Sequence, residues 1–206
     1  MTLPAVTMIE TGIANIASVA AAFGRCGLEV TTTRDAAEAR RAELLVLPGV
    51  GAFDAGMRSL EQLGMTDVLR ERAALDAPLL AVCLGLQLLG RASAESPGAA
   101  GLGIVDAEAT AFDGAVQAPQ MGWNLVRPDG GCTLLTPGYA YFANSFRFAT
   151  LPAGWHGALA DHGGPFVAAI ERGKTLACQF HPELSGAWGL TLLRRWIDRC
   201  LEAAPC

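Results

Sequence analysis

"PLLAVCLGLQLL", from Pro78 to Leu89, is an apolar run that opens like a buried β-strand and closes like a helix. Cys83 sits at the change of character, with Ala81 two positions before it and Gly85 two positions after. A chain that passes from strand directly into helix leaves little room beside the apex of the turn. Small residues at those two positions let strand and helix pack closely while the apex side chain is thrust outward. The apex also stands at the first turn of the helix, where the N-terminal end of the helix dipole favours a thiolate. The next N–H, that of Leu84, points where an oxyanion on an attacked carbonyl would develop. Taken alone, the stretch fits a buried structural cysteine flanked by small packing residues as well.

The surroundings of this stretch set its context. From the start to about Thr110, short β-branched or aliphatic runs alternate with helical patterns: "AVTMI" with "NIASVAAAF", "LEVTTT" with "DAAEARR", "ELLVLP" with "FDAGMRSLEQLG" and "TDVLRERAAL", then "PLLAVC" with "LGLQLLGRAS". Such alternation builds a parallel sheet covered by helices. From Gly122 the style changes to strands separated by Gly and Pro turns: "GWNLV", "YAYFANSFRF", "FVAAI" and "TLACQF", the last two flanking a hairpin turn at "ERGK". A final helix over Gly186 to Leu201 carries Leu190, Leu193, Trp196 and Ile197 at core spacing. No repeat or dividing linker is visible, so residues 1–206 read as one domain. The expected class is α/β and flavodoxin-like, with a mostly parallel central sheet flanked by helices and an additional antiparallel strand region in the C-terminal half.

Composition agrees with a well-packed protein. Of 206 residues, 51% are apolar and only 17% charged, enough for a large core and unlike a disordered chain. A net charge of −5 argues against a nucleic acid or a membrane surface as partner. Lys174 is the only lysine. No basic residue precedes Arg25, so the charged start of a signal peptide is missing, and the longest apolar run is broken by Gln87 and Arg91. The expected location is the cytoplasm. The six cysteines (Cys26, Cys83, Cys132, Cys178, Cys200 and Cys206) are scattered without close pairs, which matches neither a zinc spacing nor a disulfide framework. No metal and no cofactor is expected.

A thiol nucleophile needs a base, and the chain has three histidines. His156 follows "PAGW" in a turn-like stretch and His162 lies in the loop "DHGG"; both read as surface residues. His181 stands in "LACQFHPELSG", at the C-terminal end of an apolar strand, the edge where ligands gather in a parallel α/β sheet. Glu183, two residues on, is placed to orient the imidazole, with Pro182 stiffening the turn between them. Cysteine, histidine and carboxylate in that relation follow the logic of a catalytic triad. The plain alternative for His181 is a histidine beside a helix start.

Cys83, His181 and Glu183, with their surroundings, resemble the triad of class I glutamine amidotransferases. Blocks over nearly the whole chain resemble in particular the family of glutaminase subunits of imidazole glycerol phosphate synthase: "LPGVGAF" (Leu47 to Phe53), "PQMGWN" (Pro119 to Asn124), "YFANSF" (Tyr141 to Phe146) and "QFHPELSGAWGLTLL". "HPE" is shared by the whole class, whereas "PGVGAF" together with "MGWN" is specific. The resemblance implies hydrolysis of L-glutamine to glutamate and ammonia through a cysteine thioester. It further implies an oxyanion hole from the N–H groups of Val50, Gly51 and Leu84, and glutamine contacts from Gly49, Gln87, Glu95, Ser145 and Phe146. Asn15 and Leu184 correspond to positions near a partner. That partner is a (β/α)8-barrel cyclase subunit, joined as a heterodimer, which receives the ammonia and makes imidazole glycerol phosphate and aminoimidazole carboxamide ribotide in histidine biosynthesis.

Four positions depart from the family pattern. Asn144 replaces a usual histidine, Leu184 a frequent lysine, Ala14 the second glycine of an early "G-x-G-N", and Ala81 the usual glycine before the nucleophile. These bear on docking and regulation more than on chemistry. A glutaminase subunit of a different synthase would keep the triad but lack "PQMGWN". A non-catalytic regulatory subunit would have no need of an intact triad. A flavodoxin-like nucleotide-binding domain would want a phosphate-cradling G-x-G-x-x-G or P-loop after the first strand, and neither occurs.

Overall fold

The computed structural model describes residues 4–12, 15–112, 114 and 116–202. Strands and helices alternate through the first half: β1 (Ala5–Ile9), α1 (Ile16–Arg25), β2 (Glu29–Thr33), α2 (Ala36–Arg41), β3 (Leu44–Leu47), α3 (Phe53–Gln62), α4 (Met65–Ala74), β4 (Leu79–Val82) and α5 (Leu84–Leu88). The second half is strand-rich: β5 (Ala92–Ser93), β6 (Glu108–Ala111), β7 (Gln120–Pro128), β8 (Gly138–Asn144), β9 (Phe146–Phe148), β10 (His156–Asp161), β11 (Pro165–Arg172) and β12 (Thr175–Cys178). A 3₁₀ turn over Pro182–Leu184 leads into α6 (Gly186–Leu201).

Among the described residues, nine strands form one sheet in the order β2-β1-β3-β4-β12-β11-β10-β7-β8. The first five run parallel, in the doubly wound order of flavodoxin-like folds, and β11, β10, β7 and β8 extend the sheet antiparallel. "LLVL" in β3 and "LLAV" in β4 are buried at every residue, as central strands covered on both faces must be. Edge strand β2, "EVTTT", is β-branched but largely exposed. One apolar cluster packs α1 and α6 on one face through Phe23, Leu80, Phe142, Phe180 and Trp196. The other packs α3, α4 and α5 on the opposite face through Leu45, Phe53, Leu69 and Leu84.

This architecture is the expected α/β class with added antiparallel strands, and it differs from the sequence reading in detail. "YAYFANSFRF" is not one strand: the chain breaks at Ser145, β8 joining the large sheet and β9 a small one ordered β5-β6-β9. The helix expected over "LGLQLLGRAS" ends at Leu88, and at Gly90 the chain passes so close to Ala107 that a Cβ would lie 2.9 Å from its carbonyl oxygen. β5, β6 and β10 lack the alternating aliphatic pattern that marks a strand in sequence. His156, expected in a turn, begins β10. The hairpin at "ERGK" closes through Gly173 and Lys174, with Gly173 at φ +54° and the Lys174 N–H donating to Asp76. Ala14 and Cys206 lie outside the described residues. The other five cysteines are free. Among the described residues no helix is long and apolar enough to cross a membrane.

Candidate active site

β3, β4 and β12 lie side by side and end at the same edge of the sheet, bringing together three loops distant in sequence. At the end of β4, Cys83 adopts φ 54° and ψ −109°, left-handed backbone that only Asp76 shares among the described non-glycine residues. The cost of that conformation is sustained by the surroundings. The Cys83 N–H donates to the Cys178 carbonyl of β12 across 2.7 Å, and α5 begins at the next residue. Gly85 is compulsory at this turn, since a Cβ would stand 2.3 Å from the Leu47 carbonyl oxygen and 3.4 Å from the Ala81 Cβ. The Ala81 methyl is itself fully buried and accommodated.

His181 follows β12 and is gripped through its backbone. Its N–H donates to the Tyr141 carbonyl across 2.9 Å, and the Ser185 hydroxyl donates to its carbonyl across 2.6 Å while accepting the Tyr141 N–H across 3.0 Å. Its Nδ1 lies 2.8 Å from Oε1 of Glu183, which the 3₁₀ turn beginning at Pro182 swings back toward the ring, and both side chains are buried. That bond leaves Nε2 as the ring nitrogen available to Cys83, which lines the same cavity. Burial alone would lower the affinity of His181 for a proton. Interaction with Cys83 and with the hydrogen-bonded Glu183 overcomes it, pushing His181 up to about 10. The other oxygen of Glu183, Oε2, is buried with no partner among the described residues.

Opposite Cys83, the loop Pro48–Gly51 follows β3. Gly51 has φ +97°, and a Cβ on Gly49 would meet Leu84 Cβ at 3.0 Å and the Gly85 nitrogen at 3.2 Å. The Gly49 carbonyl accepts the Leu84 N–H across 3.3 Å. Val50, Gly51, Leu84, Gln87, Glu95, Ser145 and Phe146 line one cavity of about 300 Å³ with Cys83 and His181, together with Pro119, Ala143 and Asn144. Gly49 lies behind it, in a small recess shared with Asn15, Pro48 and Glu183. Asn15 caps α1, accepting the Ser18 N–H across 3.4 Å. Oε2 of Glu95 accepts the Phe53 N–H at the start of α3 across 2.8 Å. His156 and His162 lie away from this cavity, His156 near Asp129 and His162 against Phe112 and the Gln117 carbonyl. Among the described residues no cluster of metal-ligating side chains occurs.

Two features escape the sequence reading. Gln179, fully buried, bridges Gln87 and Cys83; its only signal is that it is the one polar side chain among the last four residues of "TLACQF". Asn144 donates from Nδ2 to the Phe146 carbonyl across 3.0 Å and leaves Oδ1 buried at the cavity wall without a partner among the described residues.

The family model for glutamine amidotransferase class-I matches residues 7–198. The chain is 39% identical to imidazole glycerol phosphate synthase subunit HisH of Deinococcus radiodurans over 92% of this chain and 91% of that protein. It is 38% identical to the subunit HisH of Escherichia coli K12 over 94% of this chain and 98% of that protein. Among solved structures, a glutamine amidotransferase superposes with a TM-score of 0.76 at 21% identity, covering 94% of this chain and 98% of that one. A glutamine amidotransferase from Thermotoga maritima superposes with a TM-score of 0.66 at 15% identity, covering 98% of this chain and 100% of that one. At those identities the structures speak for the fold.

Proposed function

The chain belongs to the glutamine amidotransferase class-I family, and on that footing we propose that residues 1–206 form one glutaminase domain, the ammonia-producing subunit of an imidazole glycerol phosphate synthase in histidine biosynthesis. The observation that carries this reading is the Cys83–His181–Glu183 constellation, whose cysteine and histidine line a cavity sized for an amino acid with Glu183 behind them. Cys83 attacks the side-chain carboxamide of L-glutamine as the thiolate. The tetrahedral oxyanion is held by the N–H groups of Leu84 and of the Val50–Gly51 loop, each such donor contributing on the order of 3 kcal/mol. His181, protonated by virtue of its two anionic neighbours, gives its proton to the leaving nitrogen as ammonia departs. Neutral again, it takes a proton from water, which hydrolyses the thioester and releases glutamate.

Substrate selection fits the cavity wall. Glu95 carries the charge suited to the α-ammonium of glutamine, and it is already fixed by the Phe53 N–H. Gln87, Ser145 and Phe146 wall the space for the remaining backbone of the amino acid, while Gly49 acts from behind through its peptide. With Leu84 donating to Gly49, the hole is one donor short in the chain by itself, and turning the loop peptide over completes it.

An exposed apolar face supports docking of a cyclase barrel. Met121, Trp123 and Tyr139 project from β7 and β8 at 65%, 57% and 60% exposure, and Leu184, just past the triad, is 43% exposed. Met121 and Trp123 alternate onto one face, and Trp123 packs edge-on against Tyr141, whose backbone holds His181. Leu184 in place of a charged residue makes this face more apolar. Asn15, beside the loop recess, is the second proposed point of partner influence.

The test is glutamate release from glutamine by the chain alone, with a cyclase subunit, and with the cyclase and its nucleotide ligand, each beside Cys83→Ala. Stimulation that disappears in the Cys83 variant is the expected result. No release in any mixture, despite a demonstrated complex, overturns it.

A further inference from the structure

Gln179 is a fully buried primary amide between Cys178 and Phe180, both also fully buried. An amide in a core is costly unless its N–H and carbonyl are answered. Here both are. Oε1 accepts from Nε2 of Gln87 across 3.0 Å, and Nε2 donates to the Cys83 sulfur across 3.8 Å, a length suited to a sulfur acceptor. The same nitrogen of Gln87 donates to the Phe146 carbonyl across 3.2 Å.

That backbone carbonyl fixes the polarity of the whole chain of bonds. Phe146 offers only an acceptor, so Gln87 must turn its NH₂ toward it. The NH₂ of Gln87 then needs an acceptor on its other side, so Gln179 must present its oxygen there and its own NH₂ to the sulfur. Cys83 therefore has a donor permanently aimed at it, and a donor favours an anionic sulfur over a protonated one.

We infer that Gln179 is a positioning residue for the nucleophile, an amide whose N–H, oriented through Gln87 by the Phe146 carbonyl, holds the Cys83 sulfur in its attacking, anionic state. Gln87 and Phe146 also wall the glutamine cavity, so nucleophile and substrate seat share one set of bonds. The inference rests on the reading of Cys83 as nucleophile. The titratable groups around that sulfur are His181 and Glu183 after β12, Glu95 across the cavity, and Cys178 on β12, whose thiol is held well above its ordinary value by burial and by the charges of Glu183 and Glu171. Substituting Gln179 leaves all of them in place.

The experiment uses the complex of this chain with its cyclase. It follows the pH dependence of iodoacetamide inactivation, with the alkylated cysteine located by mass spectrometry, and kcat and KM for glutamine. Gln179→Met removes both ends of the amide at similar length, and Gln179→Leu removes them with a smaller uncharged side chain. Both variants are expected to raise the pH of half-maximal inactivation by about one unit. They lower kcat near neutrality about tenfold, with KM changed by less than about twofold. If Gln179→Met does not fold, Gln179→Leu carries the comparison. An unshifted profile, with Cys83→Ala still abolishing turnover, reduces Gln179 to core filling and leaves the nucleophile reading standing. Alkylation of a different cysteine, with Cys83→Ala fully active, overturns both.

Discussion

The backbone N–H of Leu84 donates to the carbonyl oxygen of Gly49 across 3.3 Å. The N–H that follows Cys83 is thus committed to the facing loop, and the loop turns an acceptor toward the position proposed for the oxyanion. One missing oxyanion donor lowers turnover by roughly 100- to 1,000-fold. The chain alone is accordingly expected to release glutamate at least about 100-fold more slowly than the ligand-loaded complex, with a smaller change in KM. Equal kcat with and without partner, measured by glutamate release, contradicts this.

Gly85→Ala tests the strand-to-helix turn. The new methyl must displace the Leu47 carbonyl, 2.3 Å away, and that oxygen belongs to a central strand buried at every residue and paired with β4. A loss of about 3 kcal/mol in unfolding free energy is expected, at the upper end for overpacking. Urea denaturation provides the number.

Glu183→Gln keeps a side chain of the same shape beside His181 but removes its charge. Turnover should fall by at least about 100-fold while the complex still forms, as expected of a lost acid–base partner. The folded protein holds His181 up to about 10 against an ordinary 6.5, so protonation favours the fold. The contribution is fully present below pH 6.5 and lost as pH rises through about 10. In Glu183→Gln the ring titration, followed by NMR, should move down. The stability gap to the native chain should be widest near pH 6 and narrow toward pH 10.

Glu95 has two tasks that a pair of variants separates. Glu95→Gln retains an oxygen for the Phe53 N–H, so stability should change by less than about 0.5 kcal/mol while KM for glutamine rises about tenfold. Glu95→Ala should raise KM similarly and also cost about 1 kcal/mol, as loss of a helix-start acceptor does. An unchanged KM in both removes Glu95 from the substrate site.

Trp123→Ala probes the exposed face. The side chain is 57% exposed, so the isolated chain should unfold within about 0.5 kcal/mol of the native one. Binding to the cyclase, measured by calorimetry, should weaken by about 2 kcal/mol, the loss typical of an aromatic anchor.

The elbow was readable in the primary structure, because its requirements are local. A left-handed Cys83 between strand and helix admits only small neighbours, and Ala81 and Gly85 advertise that directly. The same holds for the turn of the Pro48–Gly51 loop and for His181 and Glu183, two residues apart on a turn started by proline. Uninterrupted aliphatic runs such as "LLVL" and "LLAV" likewise announced central parallel strands. Ser145 was another matter. "YAYFANSFRF" alternates well enough for one strand, and the break arises only because Phe146–Phe148 pairs with Glu108–Ala111 in a different sheet.

What local chemistry cannot carry is the direction of a group relative to another far along the chain. The order β3-β4-β12 places His181 beside Cys83, and ninety-six positions separate Cys83 from the Gln179 that donates to it. Residues Pro78 to Leu89 specify a turn with an outward thiol. That this thiol meets an imidazolium, an amide donor and a loop carbonyl occupying its nearest N–H follows from strand order and close packing, which are properties of the whole sheet.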